Sequence, residues 1–289
     1  MDLRACRLCP NECGVNRLSG IGRCHTGAEA RICRVALHHW EEPIISGTHG
    51  SGTIFFGGCS LGCVFCQNYE ISHFSSGRPY TINSLIDAIK RLEDNGAHNI
   101  NFVNPTHYAH VLYNVLSHYR PSVPVVYNTG GYDKVETLQK LDGLIDIYLP
   151  DLKYLSPALA GRYSRQENYP AVACAALDEM FRQAGPVQVT NGLMQKGMIV
   201  RHMMLPGQSS EAVRVVEYLA NRYGNTIYIS AMSQYTPHGR TEEYPEINRR
   251  LKPIEYKRMV AALKRLGVTN CFIQDTDSSD EQYIPPFEK

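Results

Sequence analysis

From residue 53 onward, short runs of β-branched and aromatic residues alternate with stretches in which apolar positions recur every three or four residues. The runs fall at about 53–56 (TIFF), 99–103 (NINFV), 123–127 (VPVVY), 144–149 (LIDIYL), 198–205 (MIVRHMML), 226–231 (TIYISA) and 271–274 (CFIQ). Being apolar at nearly every position, they read as strands buried on both faces, as in a parallel sheet covered by helices. The periodic segments between them predict helices over 82–94, 108–119, 134–142, 210–223 and 253–266, with one broken helix across 156–185. Thr81 or Asn83 can cap the first of these and Gly96 can end it, while Pro253 opens the last and Gly267 closes it. The alternation predicts an α/β fold, either an open sheet or a full or partial barrel.

Polar side chains gather at one end of this pattern. After successive strands come Cys59 to Cys66, then Asn104, Thr106 and His107, then Asn128, then Asp151 and Lys153, then Gln234, then Gln274 and Asp275, with His202 inside its own strand. In α/β barrels the reacting groups collect at the carboxyl ends of the strands, so the repetition predicts one shared site there.

Composition narrows the function classes. A chain of 289 residues, 43% hydrophobic, is long enough for one large domain with a small appendage. Its net charge is +1 and its 29 basic residues are scattered, so no nucleic-acid partner is expected. The start, MDLRACRLCP, lacks an apolar signal region, and no stretch approaches the ~18 apolar residues of a membrane span. A soluble cytoplasmic protein with no membrane partner is expected.

Eight of the ten cysteines lie within the first 66 residues. Cys174 and Cys271 sit in apolar company and read as packed core thiols. In GGCSLGCVFCQNYEIS, residues 57–72, Cys59, Cys63 and Cys66 are spaced C-x3-C-x2-C. A structural zinc site closes its tetrahedron with four ligands, whereas three thiolates on one loop suit a cubane iron–sulfur cluster whose fourth iron is left for another ligand. A partial zinc site is the plainer alternative. Cys6, Cys9, Cys13 and Cys24, spaced C-x2-C-x3-C-x10-C among several glycines, supply a full set of four. They fit zinc, the expected metal for so short a segment, or an auxiliary iron–sulfur cluster, with Cys33 as a spare ligand. The expected division is a Cys-rich metal-binding segment over 1–50 and a barrel domain with its carboxyl tail over 51–289. His38, His39, Glu41 and Glu42 form a polar patch before the first strand, expected to bridge the two parts rather than to bind metal or substrate. The proline-rich tail QYIPPF is expected to fold back as a lid.

The C-x3-C-x2-C stretch after a first strand resembles the signature of the radical SAM enzymes. GCSLGCVFCQNYE, the DLK at Asp151 to Lys153 and the RHMMLPG at Arg201 to Gly207 are similar to the activating enzymes of glycyl radical enzymes. CRLCPNECGVNRLSGIGRC, ALHHWEEPIISGTHGSGTIFF, PTHY, DIYLPDLKY and SQYTP look like the PflX-type proteins related to pyruvate formate-lyase activating enzyme, over essentially the whole chain. The QNYEIS ending is also similar to radical SAM proteins associated with Memo-type systems.

The resemblance implies a partial (β/α)6-type radical SAM barrel behind the small Cys-rich segment. It implies that Cys59, Cys63 and Cys66 ligate a [4Fe-4S] cluster whose fourth iron is chelated by S-adenosylmethionine, which is cleaved to methionine and a hydrogen-abstracting 5′-deoxyadenosyl radical. Phe65 matches the aromatic position near the adenine. Asp151 and Lys153 match a cofactor-binding pair, with a strand-end salt bridge as the alternative. His202 matches a ribose or carboxylate contact, with a hydrogen-bonded core histidine as the alternative. Arg201 is expected to face away and pair with a helix carboxylate. The family's GGE-like stretch after the second strand reads NPTHY here, leaving Asn104 and Thr106 as acceptors for an ammonium, and Asn128 serves either the cofactor or a turn. The implied partners are an electron donor such as flavodoxin or ferredoxin and a protein substrate, a glycyl radical enzyme. The alternatives are radical modification of a small molecule or peptide, or a non-catalytic iron–sulfur or zinc redox regulator.

Overall fold

The computed structural model describes residues 1–274 and residue 287. A turn-rich segment occupies the first 29 residues, followed by β1 (Ala30–His38), α1 (Pro43–Ser46), β2 (Ser51–Phe56), α2 (Tyr69–Ser72), β3 (Arg78–Tyr80), α3 (Ile82–Asp94) and β4 (Ile100–Val103). Next come α4 (Ala109–His118), β5 (Val125–Thr129), α5 (Val135–Gln139), β6 (Ile147–Pro150), α6 (Pro157–Ser164) and α7 (Tyr169–Ala184). The chain continues through β7 (Gln188–Thr190), β8 (Leu193–Met203), α8 (Ser209–Tyr223), β9 (Tyr228–Met232), α9 (Pro253–Arg265) and β10 (Cys271–Ile273).

The strands β2, β4, β5, β6, β8, β9 and β10 pair in parallel in that order, which is the α/β sheet that the apolar runs predict. The antiparallel additions were not legible. β1 pairs antiparallel with β2, β3 with β1, and β7 with β8. The sheet therefore starts at Ala30, and residues 30–38 of the Cys-rich stretch are sheet.

Helix α3 shows why the segments fold as they do. Leu85, Ala88, Ile89 and Leu92 recur at helical spacing and are buried, Thr81 Oγ1 accepts from the Ser84 amide at 3.2 Å, and Gly96 turns the chain at φ +80°. The predicted break in 156–185 is Arg165, whose left-handed backbone (φ 56°) separates α6 from α7.

Alternation along the strands sorts side chains into two cores. Ile100, Phe102, Met198 and Val200 face the helices. Val126, Ile147, Leu149 and Ile199 face inward, where they close on Met194 and on Ile45 of α1. The short segment before β2 thus plugs the amino-terminal end of the barrel with a fully buried isoleucine, a burial worth about 1.5–3 kcal/mol. Among the described residues, no helix is long and apolar enough to cross a membrane. Asp275 and the tail expected to act as a lid lie outside the described residues apart from Phe287, whose ring meets Phe55 edge-on at 5.4 Å.

Candidate active site

The loop that follows β2 must turn sharply against its neighbours. Gly58 has φ +79°, and a Cβ there would lie 2.4 Å from the Cys24 carbonyl oxygen and 2.5 Å from Thr26 Cγ2, so only glycine fits. The turn delivers Cys59, Cys63 and Cys66 to the rim of a cavity of about 440 Å³ at the carboxyl ends of the strands. This is within the range of small-molecule sites.

Each sulfur meets a polar hydrogen. The Leu61 amide donates to Cys59 Sγ at 3.4 Å, Ser72 Oγ donates to Cys66 Sγ at 3.3 Å, and Ser164 Oγ lies 2.9 Å from Cys63 Sγ. Burial pushes the Cys63 thiol up to about 12 and raises that of Cys66 as well, so both are protonated at neutral pH unless a metal takes the proton's place. Three convergent sulfurs with donors to them, and no carboxylate among them, fit an iron–sulfur cluster. Among the described residues, no three Cys, His, Asp or Glu side chains are drawn in tightly enough to hold a single metal ion as they stand. A cubane is wider than one ion and spaces its thiolates further apart.

Around the cysteines the cavity is lined by Phe65, Asn104, Asn128, Thr129, Asp151, Lys153, Tyr154 and Gln234. Asn104 is held at φ 59°, donates from Nδ2 to the Gly58 carbonyl at 2.7 Å and lies 3.7 Å from Cys59 Sγ through Oδ1. Phe65 packs against Tyr235 at 6.2 Å and Tyr154 at 6.5 Å between ring centroids. Lys153 is ion-paired with Asp151. Burial disfavours its charge, but Asp151 outweighs that and holds its pKa above the usual lysine range. Tyr169 braces the pair, its hydroxyl accepting from the Lys153 amide and lying 3.0 Å from the Asp151 carbonyl.

Three expected site residues lie elsewhere, the first being His107, which is buried with its Nε2 2.8 Å from the Gly57 carbonyl and does not line the cavity. His202 does not reach the cavity. Its Nδ1 is 2.7 Å from the Leu152 carbonyl and its ring sits among Gln208, Glu211 and Ala212 of the helical layer. The strand row Ile199, Arg201, Met203 faces inward, so Arg201 takes the place expected of His202, and the expectation that Arg201 faces away is overturned with it. Thr106 does not line the cavity either. Its hydroxyl is spent on the buried Asp133, which also accepts from Thr129 at 2.6 Å and Tyr127 at 2.8 Å.

Arg201 carries the feature that spacing could not disclose. Its Nε and Nη2 donate to the two oxygens of Glu42 at 2.8 and 2.6 Å, and Nη2 also reaches Glu41. Glu41 Oε1 accepts in addition from Asn101 at 3.0 Å and Asn128 at 3.3 Å. Burial works against ionisation of Glu42, yet Arg201 outweighs it and holds the carboxyl below the usual range. The HHWEEP patch thus bridges to the barrel as expected, but it does so inside the cavity, where His38, Trp40, Glu41 and Glu42 all form part of the wall.

The amino-terminal cysteines lie against the same loop. The Cys59 amide donates to the Cys24 carbonyl at 3.2 Å, and Asn11 Nδ2 to the Ser60 carbonyl at 2.5 Å. Cys6, Cys9 and Cys24 are buried and Cys13 is half-buried, with burial pushing Cys9 up to about 12. Arg17, which nothing in the spacing singles out, is the anchor. It donates to Gly27 and Thr26 at 3.0 Å each and to the His107 carbonyl, and lies over the Tyr108 ring.

Comparison with known proteins agrees with this architecture. The model of the family described as Radical SAM superfamily matches residues 53–219. An uncharacterized protein of Methanocaldococcus jannaschii, MJ0674, is 31% identical over 275 residues, covering 91% of this chain and 75% of the relative. Crystal structures of SuiB from Streptococcus suis share the fold at 12% identity. SuiB solved alone gives a TM-score of 0.51 over 75% of this chain and 47% of SuiB, and SuiB bound to precursor peptide SuiA gives 0.50 over 74% and 46%. The chain thus spans less than half the length of SuiB. With the three-cysteine loop at the head of a parallel α/β sheet and the family match over more than half of its length, this chain belongs to the radical SAM superfamily, whose enzymes use a [4Fe-4S] cluster and S-adenosylmethionine.

Proposed function

We propose that the protein abstracts hydrogen from a small molecule or a peptide segment that enters the barrel cavity. One observation carries this reading: Cys59, Cys63 and Cys66, Lys153 with Asp151, and the charged Glu41–Glu42–Arg201 group all bound a single cavity. When bound, the reduced cluster and S-adenosylmethionine supply a hydrogen-abstracting radical. The chain's own residues do the rest. Cys59, Cys63 and Cys66 hold the iron, Asn104 and Asn128 offer amide oxygens and hydrogens to the methionyl group, and Phe65 offers an apolar face to the adenine. Lys153, kept protonated by Asp151, presents a fixed cation beside the sulfurs. The buried walls exclude water from the reacting atoms.

A charged floor suits a substrate with a polar side chain better than it suits a bare glycine. The activase reading remains second, supported by the likeness of DLK and RHMMLPG to the activating enzymes. The two part in one experiment. Reconstituted enzyme with unlabelled S-adenosylmethionine is given anaerobic lysate from cells grown in deuterated medium, split by ultrafiltration. Deuterium in 5′-deoxyadenosine is expected from the filtrate of small molecules and peptides. Label confined to the macromolecular fraction, together with a glycyl radical signal, would replace this proposal with the activase.

Lys153→Ala is expected to leave iron content unchanged and to weaken use of S-adenosylmethionine about ten- to a hundredfold, the effect of one charge-assisted hydrogen bond worth ~1.5–3 kcal/mol. Iron and sulfide analysis beside a titration of the cofactor checks this. Loss of iron would make Lys153 a support of the cluster loop instead.

A further inference from the structure

The floor of the cavity holds more acid than its base requires. Arg201 is gripped through Nε and Nη2 by Glu42, and that alone is a complete bidentate pair. Glu41 is a second carboxylate in the same place, its side chain only 8% exposed. A pair that merely fastened the HHWEEP segment to the barrel would need one acid for one base, since each buried charge costs desolvation. Asp151 and Lys153 cancel one another, and burial holds His38 in the same wall below the usual imidazole range, so apart from the cluster loop the described side chains of the cavity leave one negative charge over, at Glu41 and Glu42.

A second observation points the same way. Asn101, with no exposed surface, donates its Nδ2 to Glu41, and the Oδ1 of that same amide is buried with no hydrogen-bond partner. Beneath the surplus carboxylate there is therefore a buried acceptor without a donor, on the inward row of β4 that Val103 continues to the cavity wall, though not itself on that wall. Such a place calls for a group rich in N–H donors that brings a positive charge.

We propose that Glu41 and Glu42 receive a cationic nitrogen, an ammonium or guanidinium, carried into the barrel by the substrate. This rests on the reading of the cavity as the substrate site and gives that substrate its chemical class: an amine, or a peptide with a basic side chain. The reacting carbon is then set by its distance from the charged end, while Arg201 keeps the two carboxylates in place.

The chain supplies its own reporter, because its single tryptophan, Trp40, lines the same cavity next to Glu41. Reconstituted enzyme with S-adenosylmethionine bound is titrated with n-pentylammonium, pentan-1-ol and pentanoate while Trp40 fluorescence is read. The expected result is at least tenfold tighter binding of the ammonium than of the alcohol, with pentanoate weakest. Glu41→Gln and Glu42→Gln are each expected to bring the ammonium toward the alcohol. Equal binding of ammonium and alcohol, a preference for pentanoate, no binding of any probe, or displacement of the ammonium by the cofactor itself would each overturn the proposal. The wild-type series stands alone should the variants fail to fold. A capped Gly-Lys-Gly peptide beside its norleucine counterpart tells which source the site takes, a preference for lysine supporting a peptide and a preference only among the free probes supporting a small amine. The same wild-type sample is assayed for 5′-deoxyadenosine under dithionite. Cleavage with no ammonium preference sinks this subsite alone, whereas no cleavage sinks the functional reading beneath it.

Discussion

Cys63→Ala protein, reconstituted anaerobically with iron and sulfide and assayed under dithionite, is expected to form no detectable 5′-deoxyadenosine. It should also hold about four irons fewer than the wild type, the content of one [4Fe-4S] cluster. The central cysteine of C-x3-C-x2-C is the one whose thiol is buried beside Lys153 and Ser164, and neither an ammonium paired with Asp151 nor a serine hydroxyl supplies the thiolate that such a cluster takes. Metal that remains in the variant is expected at Cys6, Cys9, Cys13 and Cys24, where zinc without sulfide would mark a structural zinc site. Iron with sulfide in the variant would mean that the amino-terminal segment carries a second cluster. Cleavage of the cofactor at the wild-type rate would remove the assignment of the three-cysteine loop.

The cluster loop was legible because its chemistry is local: three cysteines and the glycines that turn the chain lie within ten residues, and spacing alone carries them. The parallel strands were legible for a similar reason, since a strand buried on both faces is apolar at every position. That same property hid the inward row of β8. In MIVRHMML both alternations are apolar apart from Arg201 and His202, so parity could not be read, and a slip of one residue exchanges the faces. The structure decides it through Ile199, which closes on the inner core while Met198 and Val200 face the helices. Asp151 and Lys153, two apart on one side of Leu152, needed no such choice and share the cavity wall.

The rest was out of reach because it depends on distant segments meeting. Nothing in HHWEEP tells that its two glutamates enter the barrel to meet an arginine about 160 positions later. Nothing near Arg17 tells that it will reach the His107 carbonyl 90 residues away. Strand β1 was missed because its exposure pattern is irregular, with alternation giving way to half-buried positions at its far end. Thr106 shows the opposite error: a residue in the right stretch whose hydroxyl a buried aspartate had already claimed.

Arg201→Leu is expected to be the most destabilising single change in the barrel. Removing the guanidinium leaves Glu41 and Glu42 buried without their counter-ion, and breaking a buried pair in this way costs about 3–5 kcal/mol. For a domain of this size the midpoint of thermal unfolding should fall by on the order of 10 °C. The combined variant Glu41→Gln, Glu42→Gln, Arg201→Leu should recover most of that loss, because what destroys stability is uncompensated charge and not missing side-chain volume. The pH dependence carries the sign. Glu42 is held below its unfolded value, about 4.3, so its pairing is complete above that pH and is lost as the pH falls through the lower folded value. In Arg201→Leu the same carboxyl is buried without its cation and gains from protonation. Wild type and variant should therefore draw together between pH 7 and pH 4. A gap that stays constant across that range would show that Arg201 acts through packing, and the surplus charge assigned to the cavity floor would lose its electrostatic basis.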